Sequence, residues 1–190
     1  MRGARDAIVK AATRLFAEKG FAATSIREIC QSAGITKPVL YYHFRSKEHL
    51  YQELMLDIFN HSSKTLLGIS KLRGSLRERL IRYLSTEFSD AKRDPIQVQF
   101  LFRVMFAPER EHPYFNFIEE FEKQRQVIAG YIQQGIDSGE AQGNARFLAT
   151  VLMGMELVAI LEHLFTRRPT LTRRSAKKYV DILLRGGPAS

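Results

Sequence analysis

The sequence contains a single cysteine, Cys30, in 190 residues. No internal disulfide framework can form, and a reducing compartment suits the chain. It has no uninterrupted apolar run of about 18 residues, so no transmembrane helix and no membrane partner is expected. The opening residues, Met1 to Asp6, lack an apolar signal core, and the expected location is the cytoplasm. The five histidines, at 43, 49, 61, 112 and 163, show no metal-ligand spacing, so no metal site is expected. No nucleophile–base pair, phosphate loop or paired carboxylate set stands out. An enzyme is therefore disfavoured and no cofactor is expected. No alternating apolar and polar stretch is long enough for a strand, and there is no low-complexity segment or internal repeat.

Charge is what the chain has in excess. The formal net charge is +9, which favours a polyanionic partner but is weak evidence by itself. Its distribution says more. Residues 1–50 carry +5, residues 167–190 carry +6, and the stretch between them is slightly acidic. A merely solvated basic surface would be spread along the chain.

The apolar periodicity is helical nearly everywhere. Ile8, Ala11, Ala12, Leu15 and Phe16 form one stripe, ended by Gly20. Ser25-Ile26-Arg27-Glu28 reads as a capping box that opens a short helix to about Ser32, and Gly34 breaks it. Thr36 can cap a third helix with Pro38 in its first turn, and Ser46 a fourth from Lys47 to about Ile69. Five more helices are predicted over 75–92, 95–107, 114–138, 144–166 and 172–185. The breaks between them are Arg73-Gly74-Ser75, Asp94-Pro95, Pro108 to Pro113, Ser138-Gly139 and Arg168-Pro169. The predicted class is all-α, with a small N-terminal domain over residues 1–47 and a larger helical domain over residues 48–190.

Residues 24–44 carry the motif. Two short helices joined by a tight glycine turn make a helix-turn-helix. Cys30 is the small residue where the helices cross, and Gly34 accepts a positive φ. Ile35, Val39 and Leu40 are available for burial. Each feature also suits an ordinary helical hairpin, but the second helix is rich in donors: Thr36, Lys37, Tyr41, Tyr42, His43 and the following Lys47. Lysine and a helix N-terminus favour phosphate, and tyrosine can reach phosphate, sugar or thymine methyl groups. Arg27 can reach the groove edge. One of the two adjacent tyrosines is expected to be partly core, with Tyr42 on phosphate and Tyr41 at base or sugar level.

Phe16-Ala17-Glu18-Lys19-Gly20-Phe21, Ala23-Thr24-Ser25-Ile26-Arg27-Glu28-Ile29, the run Ala33 to Phe44, and Ser46-Lys47-Glu48-His49-Leu50 together resemble the TetR family of transcriptional regulators. Cys30 stands where that family commonly has alanine, and Pro38 where glycine or another small residue is frequent. The resemblance implies a three-helix DNA-binding domain, a linking fourth helix, and a helical domain that dimerises and usually takes a small molecule. It also implies that Thr24 or Ser25, Arg27, Thr36, Lys37, Tyr41, Tyr42, His43 and Lys47 face DNA; Pro38, at the start of the third helix, is grouped with them.

The C-terminal half is read from physics. The stretch 144–166 is apolar nearly all round, which implies burial on more than one side. With 172–185 it is expected to pair across a two-fold axis as a four-helix bundle. Tyr83, Phe88, Phe102, Met105, Phe106, Phe117, Phe121 and Met153 are candidates to line an apolar effector pocket, although each is individually more typical of plain core. Arg103 and Glu156 are charges within apolar stretches. They should pair, reach the surface, or meet the ligand.

The expected function is a homodimeric repressor on a palindromic double-stranded DNA operator, released by a small apolar effector. The competing expectation is an architectural or low-specificity DNA binder without a ligand.

Overall fold

The computed structural model describes residues 2–70, 74–166 and 168–185. Among the described residues the protein is all-α, with nine α-helices and no strand. These are α1 Arg2–Lys19, α2 Ile26–Ala33, α3 Lys37–His43, α4 Lys47–Ser70, α5 Leu76–Arg93, α6 Pro95–Phe106, α7 Phe117–Asp137, α8 Ala145–Thr166 and α9 Arg173–Arg185. A short 3-10 turn, Glu109–Glu111, falls within the Pro108 to Pro113 break. Arg73, part of another expected break, lies outside the described residues.

Side-chain caps set most of these bounds, because the first amides of a helix have no partner inside it. Ser46 Oγ accepts from the His49 amide at 3.1 Å to open α4. Ser75 and Glu78 exchange bonds as a capping box at the start of α5. Asp94 Oδ1 accepts from the Gln97 amide at 3.0 Å, and Pro95 occupies the next position, where its missing N–H costs nothing. Asn144 Oδ1 and Thr172 Oγ1 do the same for α8 and α9.

The chain forms two compact units. The first runs to Asn60 and includes Asp94–Phe117; the second takes His61–Arg93 and the residues from Ile118 onward. In the first unit α1 packs against α2, α3 and α6. The reason is aromatic. Phe16 of α1 meets Phe100 of α6 at 5.8 Å and Tyr51 of α4 at 6.4 Å, and Tyr51 meets Phe100 edge-on at 6.0 Å. Such edge and tilted pairs add to the burial each ring contributes. Ile8, Ala12, Ile29, Leu40, Phe44, Leu50 and Met55 complete this core.

In the second unit Leu76, Leu80, Leu84 and Phe88 of α5 are buried with Val180 and Leu183 of α9, Ala149 and Leu152 of α8, and Ile128 and Ile132 of α7. Gly135 of α7 lies so close to the Leu76 side chain that a Cβ there would collide with it. Arg77 Nε and Asp181 Oδ1 join α5 to α9 at 2.6 Å.

One expectation needs correction. By length and composition α8 is long and apolar enough to cross a membrane, although no such helix was expected. An uninterrupted-run criterion fails here because Glu156 and Glu162 interrupt a helix that is apolar on average. Only 17% of its most apolar stretch is buried within the chain. A core helix of a soluble protein, and one awaiting a second subunit, meet the same length and composition test.

Phe16 joins three helices, so Phe16→Ala should cost about 3–5 kcal/mol of stability. The urea midpoint is expected to fall with the slope unchanged; an unaltered midpoint would show that the ring cluster does not hold the first unit.

Candidate nucleic-acid interface

The local geometry of residues 24–44 follows from a few polar groups and one glycine. Ser25 is the N-cap of α2. Its Oγ accepts from the Glu28 amide at 3.2 Å while Glu28 Oε2 accepts from the Ser25 amide at 2.9 Å. Lys19 reaches the other Glu28 oxygen at 2.6 Å, tying α1 to the start of α2. The Lys19 ammonium and the Ser25 donors hold the Glu28 carboxyl down at about 2. At the far end Gly34 adopts φ 66° and ψ 34°. The Ile35 amide then donates to the Cys30 carbonyl at 3.0 Å, which turns the chain into α3. Only glycine takes this left-handed conformation without cost.

In α3, Leu40 is fully buried and the Phe44 amide closes the helix on the Leu40 carbonyl at 2.8 Å. This short helix packs along one line, Leu40 to Phe44, so the remaining positions point away. Thr36, Lys37 and Pro38 are exposed. Tyr41 is 49% exposed and Tyr42 71%. The expectation that one tyrosine would be partly core does not hold, because the packing line uses neither. His43 is half-buried, with its ring 5.1 Å from that of Tyr42. Thr36 occupies the N-cap position of α3, but its side chain makes no capping bond. Its hydroxyl remains available on the outer face. Arg27 and Ser25 are exposed on and beside α2.

Two of the sequence-predicted residues are placed elsewhere. Thr24 is 1% exposed, and its hydroxyl donates to the Gly20 carbonyl at 2.8 Å, closing the loop after α1. Lys47 Nζ donates to the carbonyls of Phe21 at 3.0 Å and Thr24 at 2.9 Å, and lies 4.1 Å from the centre of the Phe21 ring. Both therefore brace the loop between α1 and α2. Two exposed residues were missed, Val39 on α3 and Arg45 just beyond it. Val39 shares a face with Thr36 and Tyr42 at three-residue spacing, so its place on the outer face, rather than in the core, is legible in the sequence.

Residues 8–54 match the profile of bacterial regulatory proteins of the tetR family. The chain is also 30% identical over 140 residues to the HTH-type transcriptional repressor KstR2 of Mycobacterium tuberculosis (strain ATCC 25618 / H37Rv), spanning 71% of this chain and 68% of that protein. The chain belongs to the TetR family. It is a DNA-binding transcriptional regulator, and the α2–turn–α3 segment is its helix-turn-helix. The HTH-type transcriptional regulator AcrR of Shigella flexneri is 26% identical over 190 residues, covering 95% of this chain and 87% of that protein. Among solved structures, the fatty acid degradation regulator FadR of Bacillus halodurans shares the fold with a TM-score of 0.78 at 16% identity, over 98% and 97% of the two chains. The TetR family regulator PfmR of Thermus thermophilus gives 0.74 at 22% identity, over 98% of each chain. The chain spans about two thirds of the length of KstR2.

The predicted effector-lining residues of this TetR-family chain fall in both units. Phe102, Arg103, Met105, Phe106 and Phe117 belong to the first, and Tyr83, Phe88, Phe121, Met153 and Glu156 to the second. Phe106 is 69% exposed, and it stacks on Phe102 at 6.1 Å. Phe117 lies 6.2 Å from Phe59 and 5.1 Å from Phe115. Arg103 does not pair with Glu156. Its guanidinium faces the Ala17 and Glu18 carbonyls, each at 3.4 Å, and packs over Gly20. A cation at that position complements the negative end of α1.

Glu156 instead accepts a 2.8 Å hydrogen bond from the Tyr83 hydroxyl. Glu87 lies close by on α5, with its buried Oε1 lacking a hydrogen-bond partner. Burial raises both carboxyls above the ordinary range, and their mutual repulsion raises Glu87 further. His61 and Ser62 of α4 act in the opposite direction on Glu87, and Asp90 reinforces the rise.

The sign of the pH effect follows. The unfolded chain ionises these glutamates near pH 4.3, at about the usual value, while the folded chain keeps their protons to higher pH. Their contribution is therefore complete below that value and is lost as pH rises through the raised native values. The melting temperature should fall between pH 5 and pH 8. Glu156→Gln, which keeps an acceptor for Tyr83, should flatten that fall; an equal loss in both proteins would contradict the assignment.

Proposed function

We propose that this chain is a homodimeric repressor that places α3 of each subunit in the major groove of a palindromic operator and is released by a small effector. The observation carrying the DNA reading is the outer face of α3. Thr36, Lys37, Val39, Tyr41 and Tyr42 are exposed together on a helix fixed by the Glu28–Ser25 cap and the Gly34 turn. Ser25, Arg27, Pro38 and His43 complete the contact set, with Lys37 and Tyr42 on phosphate and Tyr41 at base or sugar level. Thr24 and Lys47 support this surface from behind. The relatives named KstR2 and AcrR are an HTH-type transcriptional repressor and an HTH-type transcriptional regulator, which supports the repressor reading; action on DNA would take place in the cytoplasm.

Residues 1–47 are taken as the DNA-binding domain and 48–190 as the dimerisation and effector domain. Pairing through α8 and α9 is supported by their unpartnered faces. Phe147, Val151, Gly154, Val158, Leu161 and Phe165 recur at alternating four- and three-residue spacing along one side of α8. Phe147, Val158 and Phe165 are 66, 63 and 83% exposed. Ile182 adds to this surface from α9. Subunits joined there would form a four-helix bundle. The effector would be received among Tyr83, Phe121, Met153 and Glu156. Its binding would act on α4, whose residues belong to both units, and it is an allosteric release only if the effector distinguishes two states.

Footprinting upstream of the protein's own or a neighbouring gene should protect a palindrome with half-sites about one helical turn or more apart. Lys37→Ala should weaken binding and lower the slope of affinity against salt by about one. No protected palindrome at low salt, or equal affinity for random DNA, would overturn the operator reading. Val158→Asp should give a monomer by analytical ultracentrifugation, because it buries a charge in the proposed bundle; a dimer that persists would place the interface elsewhere.

A further inference from the structure

The basic C-terminal segment is not accounted for by DNA binding through α3. In the second unit it meets α5 across an open groove of about 1140 Å³. Arg79, Arg82 and Arg93 line one wall, and Arg173, Arg174 and Lys177 from the first turns of α9 line the other. The two acids at the groove are already engaged. Glu78 caps α5 through Ser75, and Asp90 bonds His61 and Arg93. Arg77 is neutralised by Asp181. Five cations, Arg79, Arg82, Arg173, Arg174 and Lys177, are in no ion pair among the described residues.

Three further features mark the groove as unfinished without an anion. The α9 cations sit at the end of the helix where the macrodipole is positive, with no acidic residue in the first turn to offset them. That arrangement is unfavourable until an anion lies between them. Arg79 Nε and Ser85 Oγ are both buried in the groove lining without a hydrogen-bond partner, and a buried unsatisfied donor is costly. Thr86 and Ser89 add hydroxyl donors on the same wall.

We propose that the α5–α9 groove is a binding site for a small, multiply phosphorylated anion. A single phosphate would leave most of these cations unmatched, Lys177 being partly offset by Asp181, whereas a chain of phosphates can span both walls. The concave shape favours a compact ligand that enters the groove over a duplex that lies across it. The site is separate from the residues given to the apolar effector, and it stands whether or not that effector exists.

The test is calorimetric titration of the full-length protein with inorganic tripolyphosphate and with ATP at low ionic strength. Each chain should bind one tripolyphosphate, and binding should weaken as salt rises. R82E/K177E should weaken it at least tenfold, and the milder Arg82→Gln and Lys177→Gln should each weaken it severalfold with an unchanged melting temperature. Lys37→Ala should bind as the unaltered protein does. Tighter binding of ATP would assign a nucleotide, and equal binding an inorganic polyphosphate; either supports the site. No binding at millimolar tripolyphosphate overturns it. So does binding lost in Lys37→Ala and kept in R82E/K177E, which would place the anion at α3. If tripolyphosphate does not bind but R82E/K177E weakens operator binding, the groove is a DNA-backbone contact and the proposal fails.

Discussion

The contact among Phe16, Tyr51 and Phe100 organises the first unit. Three rings from α1, α4 and α6, distant in sequence, meet within about 6 Å of one another. α1 supplies one face of that cluster and, through Ile8, Ala12 and Leu15, the support on which α2 and α3 rest. Arg103 adds a polar contact at the same place, from α6 to the last carbonyls of α1. A displacement of α6 would therefore be transmitted to α1 by packing and by charge together. This gives the helix-turn-helix a mechanical neighbour outside residues 1–47.

Much of the helical pattern was legible because caps are local. Ser25 with Glu28, Ser46, Asp94 with Pro95, and the Gly34 turn each act within four residues, and the helix bounds fall where those groups place them. The attachment of α6 to α1 was not legible. It depends on Phe100 meeting Phe16 across more than eighty residues, and an apolar run does not name its partner. The candidate interface was legible in part for a related reason. A threonine or lysine near a helix-turn-helix can donate to phosphate or to a nearby carbonyl, and the residue type is the same in both cases. Thr24 and Lys47 donate to carbonyls. Tyr41 and Tyr42 are both outside because a seven-residue helix needs only Leu40, with Phe44 just beyond it, to anchor it.

The second unit shows opposite solutions to charge along α5. Tyr83 and Glu156 share a hydrogen bond beside Glu87, two carboxyls raised by burial and only partly offset by His61. In the adjoining groove, Arg79 and Arg82 face α9 cations while the two acids there, Glu78 and Asp90, are engaged elsewhere. A helix carrying both patterns has not been optimised for stability alone, since apolar or paired residues would fit either place at lower cost. Such local conflicts between electrostatics and packing are expected where a protein receives ligands.

Cys30 has a further consequence. It is the only cysteine in the chain, it is buried between α2 and its neighbours, and burial raises its thiol above the ordinary range. Thiol reactions proceed through the thiolate, so maleimide dyes and nitroxide labels should find little to react with on the folded protein. A cysteine introduced on the outer face of α3 would then carry the label alone, without first removing the native residue. In the proposed dimer, the separation of the two α3 helices could then be measured directly in otherwise unaltered protein, with and without bound DNA.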